Sequence, residues 1–589
     1  MNSNFLRPRS DGLPVTSVLL AGSIIVFASL SMVVAAETQS GASLDPRGIS
    51  GTLILYGGQA ADQDTVDRFL ELVGGADQAS IAVLTGLAEQ NPVDPLAILR
   101  FWQRQGVSDV TLTQPDAAVT KDDSELLARL KSVNGVWIQD GPLPALIEAY
   151  AGTPVATALG NLLKRGGTIG GIGRAAELIG TRVHSLSDGR SKTVAGLDLL
   201  PNSIIRTGTL DVLKEFDVPG GLVGYSLPND ATMMVGCDAS QLDFRNRRLY
   251  GNGNLDRGRT IYVVGADAVT VTLAESATRP KWAMAIPPQS VVDLTAFRRS
   301  AIERNSTDFP PAKVGVPEVP NGTLVIIGGG GMPKDIVQAI IDAAGGPDAK
   351  YVVLPTAVPE ALARRSGVPG FFPKAGADDV TVLPQIGRGQ VNQPAYLKTI
   401  READCVWFGG GRQWRFVDAY ADTPAVEAFH AVLERGGVIC GSSAGASIQG
   451  EYLARANPLG NLPIIAEGYE RGFGFLPGVA IDQHFSQRKR FDDLRRLVQT
   501  YPQLLGIGID EATAIVVRGH TATVLGRHHV FFLDASPTEE TDADAAKVVR
   551  VARLKAGERY DLKARRPITE SDKKLQPAIA EPAAERSAN

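Results

Sequence analysis

Cysteine and aromatic residues are scarce in this sequence, and neither sign of charge is in excess. The three cysteines, Cys237, Cys405 and Cys440, form neither a CxxC pair nor a disulfide framework, so they indicate no metal site. With 59 basic and 64 acidic residues, the chain has no basic excess for binding a nucleic acid. No motif calls for a cofactor. Its 589 residues, 44% of them hydrophobic, exclude both a disordered chain and a single ordinary domain.

Long apolar runs are also missing, apart from one near the N terminus. Residues 1–36 carry two arginines, then the stretch VTSVLLAGSIIVFASLSMVVAA, ending in two alanines before Glu37. This layout is typical of a secretory signal peptide, which predicts export to the periplasm or the cell exterior. The stretch would also suffice for a membrane anchor through residues 13–36, because about 20 apolar residues span a bilayer.

The rest of the chain repeats itself with a period of about 270 residues, which indicates two copies of one domain-sized unit. GTLILYGG at 51–58 matches GTLVIIGG at 322–329, and RGGTIGGIGRAAELIG at 165–180 matches RGGVICGSSAGASIQG at 435–450. We therefore predict four segments after the N-terminal one: a first domain over 49–284, a proline-containing linker over 285–320, a second domain over 321–567 and a loose tail over 568–589.

In both domains, short β-branched runs bounded by glycine alternate with segments of helical length, such as DTPAVEAFHAVLERGG. This alternation predicts an α/β fold in two tandem copies, each with a mostly parallel sheet flanked by helices. The end of each domain, for example LLGIGIDEATAIVVRGHTATVLGRHHVFFLD, instead has short strands joined by tight turns. Antiparallel edge strands are expected there.

The segment GSSAG at 441–445 follows an apolar strand and opens a small-residue helix, which is the setting of a nucleophile elbow. Ser443 would lie at a helix N-terminus, where the amide of Ala444 can face a developing oxyanion. The same residues also fit a glycine-rich turn with no catalytic role.

His484 is the histidine whose setting best fits a base for this serine. It ends the predicted strand GVAIDQ at 478–483 and is followed by two arginines. A serine nucleophile needs such a base within hydrogen-bonding distance. A histidine that merely satisfies its own hydrogen bonds at a strand end is the structural alternative.

Four motifs together carry a family resemblance. FGGGRQ, GSSAGASIQG, GFGFLPGVAIDQHFSQRKR and LLGIGIDEATA resemble the cyanophycinase and dipeptidase E family of serine peptidases, above all its cyanophycinase-like members, over roughly 320–560. The resemblance implies a class I glutamine amidotransferase-like α/β fold and hydrolysis of peptide bonds at aspartyl residues. In cyanophycinases the target is a β-aspartyl-arginine unit of a storage polymer, so the implied substrate is a peptide or a cyanophycin-like polymer.

Carried over by position, the resemblance makes Ser443 the nucleophile and His484 its base, with oxyanion-hole amides from Gly411 and Ala444. It also implies a set of side chains that line the substrate pocket: Gln413, Asp482, Gln483, Arg488 and Arg490. Arginine suits such a pocket because its guanidinium binds a carboxylate through two hydrogen bonds.

Two positions depart from the family pattern. Asp493 stands where polymer-cleaving members carry a third arginine. The acidic partner of the histidine is expected between Ser443 and His484, in a stretch where Asn457 replaces the Asp of many relatives. Three nearby acids are left as candidates: Glu451, Glu467 and Glu470.

In the first domain, Gly173, Leu143 and Gly208 correspond to Ser443, Gln413 and His484, so we predict a catalytically dead copy. The whole chain is then an exported serine-type peptidase of cyanophycinase type. Two other functions stay open: a ligand-binding protein without activity, favoured by the unplaced acid and the dead domain, and an α/β-hydrolase-type esterase, which shares GxSxG and the order Ser then His. Assembly into a homo-oligomer is also open.

Overall fold

The computed structural model describes residues 44–86, 94–113, 124–187, 190–208, 216–237, 257–536 and 548–569. The predicted signal peptide or anchor at 1–36 and residues 570–589 of the predicted tail lie outside these ranges. We call residues 45–304 the N-terminal half and residues 305–569 the C-terminal half. Both belong to one compact unit that starts at Asp45.

Strands and helices alternate through most of the N-terminal half. Its elements are β1 (Thr52–Tyr56), α1 (Gln63–Leu72), β2 (Ser80–Leu84), α2 (Pro95–Arg104), β3 (Asp109–Thr113), α3 (Ser124–Ser132), β4 (Gly135–Ile138), α4 (Leu143–Tyr150), α5 (Pro154–Lys164), β5 (Thr168–Ile172), α6 (Arg174–Leu178), β6 (Gly180–Ser187), β7 (Arg190–Ala195), β8 (Leu200–Thr207), β9 (Val223–Leu227), β10 (Ala231–Val235), β11 (Thr260–Gly265), β12 (Val269–Leu273), β13 (Trp282–Ile286), β14 (Val291–Asp293) and α7 (Leu294–Arg304).

The C-terminal half follows the same alternation, and the elements described after residue 500 are all strands. Its elements are β15 (Val319–Ile327), α8 (Lys334–Ala344), β16 (Tyr351–Leu354), α9 (Glu360–Ala363), α10 (Phe371–Lys374), β17 (Val380–Val382), α11 (Arg388–Val391), α12 (Pro394–Arg401), β18 (Cys405–Phe408), α13 (Trp414–Tyr420), α14 (Pro424–Glu434), β19 (Val438–Ser442), α15 (Ala444–Ser447), β20 (Gly450–Tyr452), β21 (Leu476–Gln483), α16 (Phe491–Thr500), β22 (Leu505–Ile509), β23 (Thr513–Gly519), β24 (Thr521–Gly526), β25 (His529–Asp534), β26 (Arg550–Lys555), β27 (Arg559–Asp561) and β28 (Arg566–Pro567).

Local sequence signals set several helix starts. Asp62 caps α1 by accepting a hydrogen bond from the Thr65 amide. Helices α5 and α14 occupy equivalent places in the two halves, and each begins with a threonine cap followed by proline, whose fixed φ angle suits the first helical position.

Each half contains one large and one small sheet. In the described residues the large sheets run in the order β3-β2-β4-β5-β1-β10-β11-β14 and β17-β16-β18-β19-β15-β23-β24-β27-β28. The first five strands of each are parallel neighbours, and the remaining strands continue the sheet in antiparallel fashion. The predicted α/β class, with a parallel sheet flanked by helices and antiparallel edge strands, is confirmed.

The small sheets also share an order over five strands, and β7 is an additional edge strand in the N-terminal half. They run β7-β6-β8-β9-β12-β13 in the N-terminal half and β20-β21-β22-β25-β26 in the C-terminal half. Strand β21 pairs in parallel with β22, so both strands end at the same edge of their sheet. The shared strand orders support the proposal that the halves arose by duplication.

The segment at 285–320, which the sequence assigns to a linker, contains regular structure. Strand β14 pairs with β11 and so extends the large N-terminal sheet, and α7 packs its apolar residues into the core of that half. Apolar side chains of β14 and α7 are the physical reason, because leaving Leu294 and Phe297 in water would forfeit their burial free energy. Among the described helices, none has the length and apolar character needed to cross a membrane.

Candidate active site

Ser443 lies at the turn between β19 and α15. Its φ angle is 56°, in the left-handed region that non-glycine residues rarely adopt, and its amide donates to the Ile327 carbonyl at 3.0 Å. Gly441 and Gly445 flank it because the backbone is crowded there: a Cβ at Gly441 would overlap the Gly445 carbonyl. The turn therefore places the serine hydroxyl at the carboxyl end of a parallel strand, beside a helix start.

His484 directly follows β21 and lies within hydrogen-bonding distance of this serine. Its Nε2 is 2.9 Å from Oγ of Ser443. The His484 amide donates to the carbonyl of Gly328 at 2.9 Å, which ties the small sheet to the end of β15 in the large one. Gly329 leaves room for the imidazole, because a Cβ at that position would overlap the ring.

Glu511 completes a chain of three polar side chains. Its Oε1 lies 2.6 Å from Nδ1 of His484, and its own amide donates to Oε1 of Gln487 at 3.0 Å. A Cβ at Gly330 would lie 2.5 Å from Oε2 of Glu511, so this glycine makes space for the carboxylate. With Nδ1–H donated to Glu511, Nε2 of His484 is the nitrogen left to accept a hydrogen bond from the serine hydroxyl.

The acid at His484 is thus a residue that the sequence reasoning missed, and the three glutamates it offered lie elsewhere. Oε2 of Glu451 accepts a hydrogen bond from the Gly478 amide. Glu467 forms an ion pair with an arginine of α7, and Glu470 is buried against another arginine of the N-terminal half. The family pattern places the acid before His484 in the chain, but β22 runs beside β21, so a residue just beyond β22 reaches the histidine.

Burial lowers the pKa of His484, and the hydrogen bond to Glu511 partly offsets this effect. The positive charge of Arg488 lowers that pKa further. The imidazole is therefore neutral near pH 7 and can take up a proton.

A glycine-rich loop passes beside Ser443. A Cβ placed on Gly410 would lie 3.6 Å from Cβ of Ser443, and Gly411 has a φ angle of 148°. A side chain at Gly411 would overlap the Ala357 carbonyl, so only glycine fits. Gly411 and Ala444, the two residues expected to supply oxyanion-hole amides, thus both belong to backbone next to the serine.

Gln413, expected to line the pocket, is buried, and its side chain donates hydrogen bonds to backbone carbonyls instead. Its Nε2 donates to the carbonyls of Ala454 at 2.8 Å and Arg455 at 2.9 Å. Since both amide protons are used, this nitrogen cannot also bind substrate. Gln413 supports the chain segment across from it.

Asp482 and Arg490, also expected in the pocket, are buried in an ion-pair network with Arg455. Nε of Arg455 lies 3.0 Å from both carboxylate oxygens of Asp482, and Nη1 of Arg490 lies 3.0 Å from Oδ1. Burial lowers the pKa of Arg490 to about 10, although Asp482 acts in the opposite direction. Burial raises the pKa of Asp482, although both arginines oppose this shift. These side chains serve the interior rather than an open pocket.

The sequence reasoning did not single out Arg455, which is central to this network. Its φ angle is 60°, its side chain is 2% exposed, and its Nη2 donates to Oδ2 of Asp493 at 2.8 Å. Asp493 therefore has a structural partner. No sequence pattern predicts that the loop residue Arg455 contacts Asp482, which lies on a strand 27 residues further along the chain.

Gln483 and Arg488 are the two remaining pocket candidates. Gln483 is 4% exposed, and its Oε1 has no hydrogen-bond partner among the described residues. Arg488 is exposed on the turn after His484, and no ion pair to it occurs within the described ranges. Arg488 is the candidate whose charge is free to meet an anionic group. The described residues also contain no cluster of three metal-binding side chains.

Comparison with known proteins places the chain in a family. Residues 324–525 match the model of peptidase family S51. The cyanophycinase of Geminocystis herdmanii is 30% identical over 246 residues, which cover 40% of this chain and 90% of that protein. The chain belongs to peptidase family S51. It is a serine-type peptidase, and the match falls on its C-terminal half.

Two further matches of this S51 peptidase cover a similar share of the chain. The cyanophycinase of Trichormus variabilis is 31% identical over 234 residues, covering 38% of this chain and 78% of that protein. A crystal structure of a peptidase from an acI-B1 Actinobacterium has 21% sequence identity and a TM-score of 0.32, with coverage of 42% of this chain and 98% of that one.

The N-terminal half of the S51 peptidase has a carboxylate where the C-terminal half has its serine. Gly173 adopts φ 53°, close to that of Ser443, but a Cβ there would lie 2.5 Å from Oδ1 of Asp140. That oxygen accepts a hydrogen bond from the Arg174 amide at 2.7 Å, the counterpart of the Ala444 amide. Burial raises the pKa of Asp140, while the amides of Arg174 and Gly141 lower it.

The positions that correspond to His484 and Glu511 carry neither a histidine nor an acid. Gly208 follows β8 as His484 follows β21. Asn229 stands two residues after β9, as Glu511 stands two residues after β22. Arg206, half-buried on β8, carries an Nε with no hydrogen-bond partner among the described residues.

Proposed function

We propose that the C-terminal half hydrolyses peptide bonds at aspartyl residues through Ser443, His484 and Glu511. One observation carries this proposal: Nε2 of His484 lies 2.9 Å from the serine Oγ while its Nδ1 lies 2.6 Å from Glu511. This is the arrangement in which an imidazole accepts a hydroxyl proton and a carboxylate stabilises the resulting cation.

The reaction then follows acyl transfer. Oγ of Ser443 attacks the carbonyl carbon of the scissile bond as its proton passes to Nε2 of His484. The amides of Gly411 and Ala444 donate to the oxygen that becomes negative, where one such donor is worth about 3 kcal/mol to the transition state. His484 returns the proton to the leaving amine and the C–N bond breaks. Water then attacks the acyl carbon as it gives a proton to His484, and His484 passes that proton to Oγ of Ser443 as the ester bond breaks and the acid product leaves.

The substrate class rests on charge and on relatives. Arg488 is an exposed cation near His484, which suits a substrate with a carboxylate close to the scissile bond. The relatives named above are cyanophycinases, so cyanophycin and β-aspartyl-arginine peptides are the first substrates to examine.

Purified protein incubated with cyanophycin, β-aspartyl-arginine, α-aspartyl dipeptides and a simple ester tests the proposal. Release of amine from the aspartyl substrates, lost in Ser443→Ala, is the expected result. Cleavage of the ester alone would favour the esterase. The ligand-binding alternative rested on the unplaced acid and on the dead domain, and the contact between Glu511 and His484 weakens the first of these two grounds. No release from any substrate, with binding retained, would revive it.

Two further proposals concern the rest of the chain. The N-terminal half is a silent copy of the peptidase domain, as its shared strand order and the residues Asp140, Gly173 and Gly208 support. The protein is exported, a proposal supported by the signal-like pattern at 1–36. Cell fractionation with N-terminal sequencing of the mature protein tests export, and an unprocessed cytoplasmic chain would contradict it.

A further inference from the structure

Four arginines of the N-terminal half contact acidic side chains of the C-terminal half. We call these residues, Arg259, Arg279, Arg299 and Arg304, the arginine clamp. Two of them lie on α7, one directly before β11 and one between β12 and β13. Their partners are three acids, Asp418 on α13 and Glu467 and Glu470 in the loop 453–475.

Asp418 is held from two sides by the clamp. Its Oδ1 accepts hydrogen bonds from Arg299 at 2.9 Å and 3.1 Å, and its Oδ2 is paired with Arg259. The Tyr469 hydroxyl lies 3.1 Å from the same Oδ1, and the Arg299 guanidinium lies 5.0 Å from the centre of the tyrosine ring. Burial alone would lower the pKa of Arg299, but Asp418 raises it above its usual value. Helix α13 and the loop are thus joined to the N-terminal half at one buried point.

The loop 453–475 is held at a second point by the rest of the clamp. Arg304 pairs with both oxygens of Glu467, and Nη2 of Arg279 lies 2.7 Å from Oε2 of Glu470. The backbones also approach closely, because a Cβ on Gly468 would lie 2.6 Å from the amide nitrogen of Ser300. Gly468 also has a φ angle of 83°, so both the close approach and the backbone conformation require glycine here.

The same loop continues to the active site. The Leu453 amide donates to the Glu470 carbonyl at 2.7 Å, and Gln413 donates to the next two carbonyls. Arg455 then reaches Asp482, two residues before His484. At its other end, the Phe473 amide donates to the carbonyl of Ile448, just after the helix that Ser443 opens. The loop therefore lies against both catalytic segments.

We propose that the arginine clamp fixes the loop 453–475 and α13 against the catalytic segments, so that the silent half shapes substrate binding in the active one. Arg299 and Arg304 are then positioning residues. Removing Arg304 leaves Glu467 without its closest cation, and removing Arg299 leaves Asp418 with Arg259 as its remaining arginine partner. Either loss favours loosening of the loop. The triad itself contacts none of the four arginines, so the chemistry at Ser443 should survive. The kinetic part of this inference rests on the proposed function.

Full-length variants Arg299→Met and Arg304→Met test the clamp, with Arg471→Met as the matched control. Arg471 pairs with Glu303 across the same interface, but its side chain is 45% exposed, and exposed pairs contribute little. Three quantities are measured: KM and kcat on β-aspartyl-arginine, the rate at which a fluorophosphonate labels Ser443, and hydrogen exchange of residues 453–475.

In both clamp variants we expect KM to rise about tenfold, kcat and labelling to change less than about threefold, and exchange in the loop to accelerate. The control should match the wild type. Glu467→Gln combined with Arg304→Met should reverse part of the rise in KM, because the carboxylate that lost its partner is then neutral. Arg304→Lys, which keeps the charge, should fall between the wild type and Arg304→Met and serves if the Met variant does not fold.

Unchanged KM and unchanged exchange in both variants would overturn the inference. So would an equal loss of labelling and kcat, since the arginines would then act on the triad or on the whole fold. Failure of the proposed function looks different: the wild type itself would neither be labelled at Ser443 nor cleave the dipeptide. The exchange measurement would still test the clamp in that case.

Discussion

His484 and Glu511 follow two adjacent parallel strands, and this adjacency brings Oε1 of the glutamate to 2.6 Å from Nδ1 of the histidine. The two residues are 27 positions apart in the chain, but parallel strands end at the same sheet edge. The pairing fixes the tautomer of the imidazole and turns Nε2 toward the serine.

Replacing Ser443 by Ala should abolish peptide hydrolysis without unfolding the protein, because only the attacking oxygen is lost. Ser442→Ala is the matched control and should keep activity, as this neighbour does not contact His484 through any described hydrogen bond. Mass spectrometry after fluorophosphonate treatment should find the label on Ser443 alone. Hydrolysis that persists in Ser443→Ala would show that Ser443 is not the nucleophile.

Glu511→Gln should reduce kcat at least about a hundredfold, since the neutral amide no longer stabilises the imidazolium. Glu451→Gln is the control, because its side chain accepts an amide hydrogen bond that glutamine can also accept. Steady-state kinetics on one aspartyl dipeptide compare the two variants. A large loss of kcat in Glu451→Gln with none in Glu511→Gln would instead make Glu451, one of the acids suggested by the sequence, the partner of His484.

The acid limb of the pH–rate profile should lie below about 6.5, the ordinary pKa of histidine, because the folded protein lowers that of His484. Arg488→Met removes a charge that lowers this pKa, so the limb should move to higher pH, and KM for a carboxylate-bearing substrate should rise. Glu511→Gln removes a contact that raises the pKa, so its limb should move to lower pH. The measurement is kcat/KM against pH for the wild type, Arg488→Met and Glu511→Gln. Shifts of the acid limb in the opposite directions would contradict this prediction.

Arg455→Met should lower the free energy of unfolding by about 3 kcal/mol, since it leaves the buried Asp482 with only one arginine. Arg496→Met is the control: this arginine also pairs with Asp493, but its side chain is 68% exposed. Urea unfolding followed by circular dichroism measures both. Equal stabilities would mean that the buried network is dispensable.

Gly173→Ser should destabilise the N-terminal half and create no activity. Its new side chain would meet the Asp140 carboxylate, and no histidine stands at Gly208. Asp140→Gly in the same chain should recover part of the lost melting temperature by removing the overlap. Activity arising from Gly173→Ser in a Ser443→Ala background would show that the half is not silent.

Much of the fold follows from the sequence, but the interior of the site does not. Alternating apolar runs and helical segments predict the parallel blocks of both sheets, and GSSAG predicts a sharp turn at Ser443. The motif LLGIGIDEATA already contained Glu511, yet its role depends on which strand lies beside β21, a fact of topology. Asp482 and Arg490 are close to the histidine in sequence, but they pair with each other, and Asp482 also pairs with a loop arginine. His484 has a φ angle of 51°, so the alternation of strand faces does not extend through it.

The carboxylate of Asp140 determines how many molecules of an active-site inhibitor one chain can bind. It already accepts the Arg174 amide, so a boronic acid that mimics the tetrahedral intermediate finds that position taken in the N-terminal half. Isothermal titration of the full-length protein with such an inhibitor should therefore give a stoichiometry of one per chain, even though each chain carries two turns of the same shape.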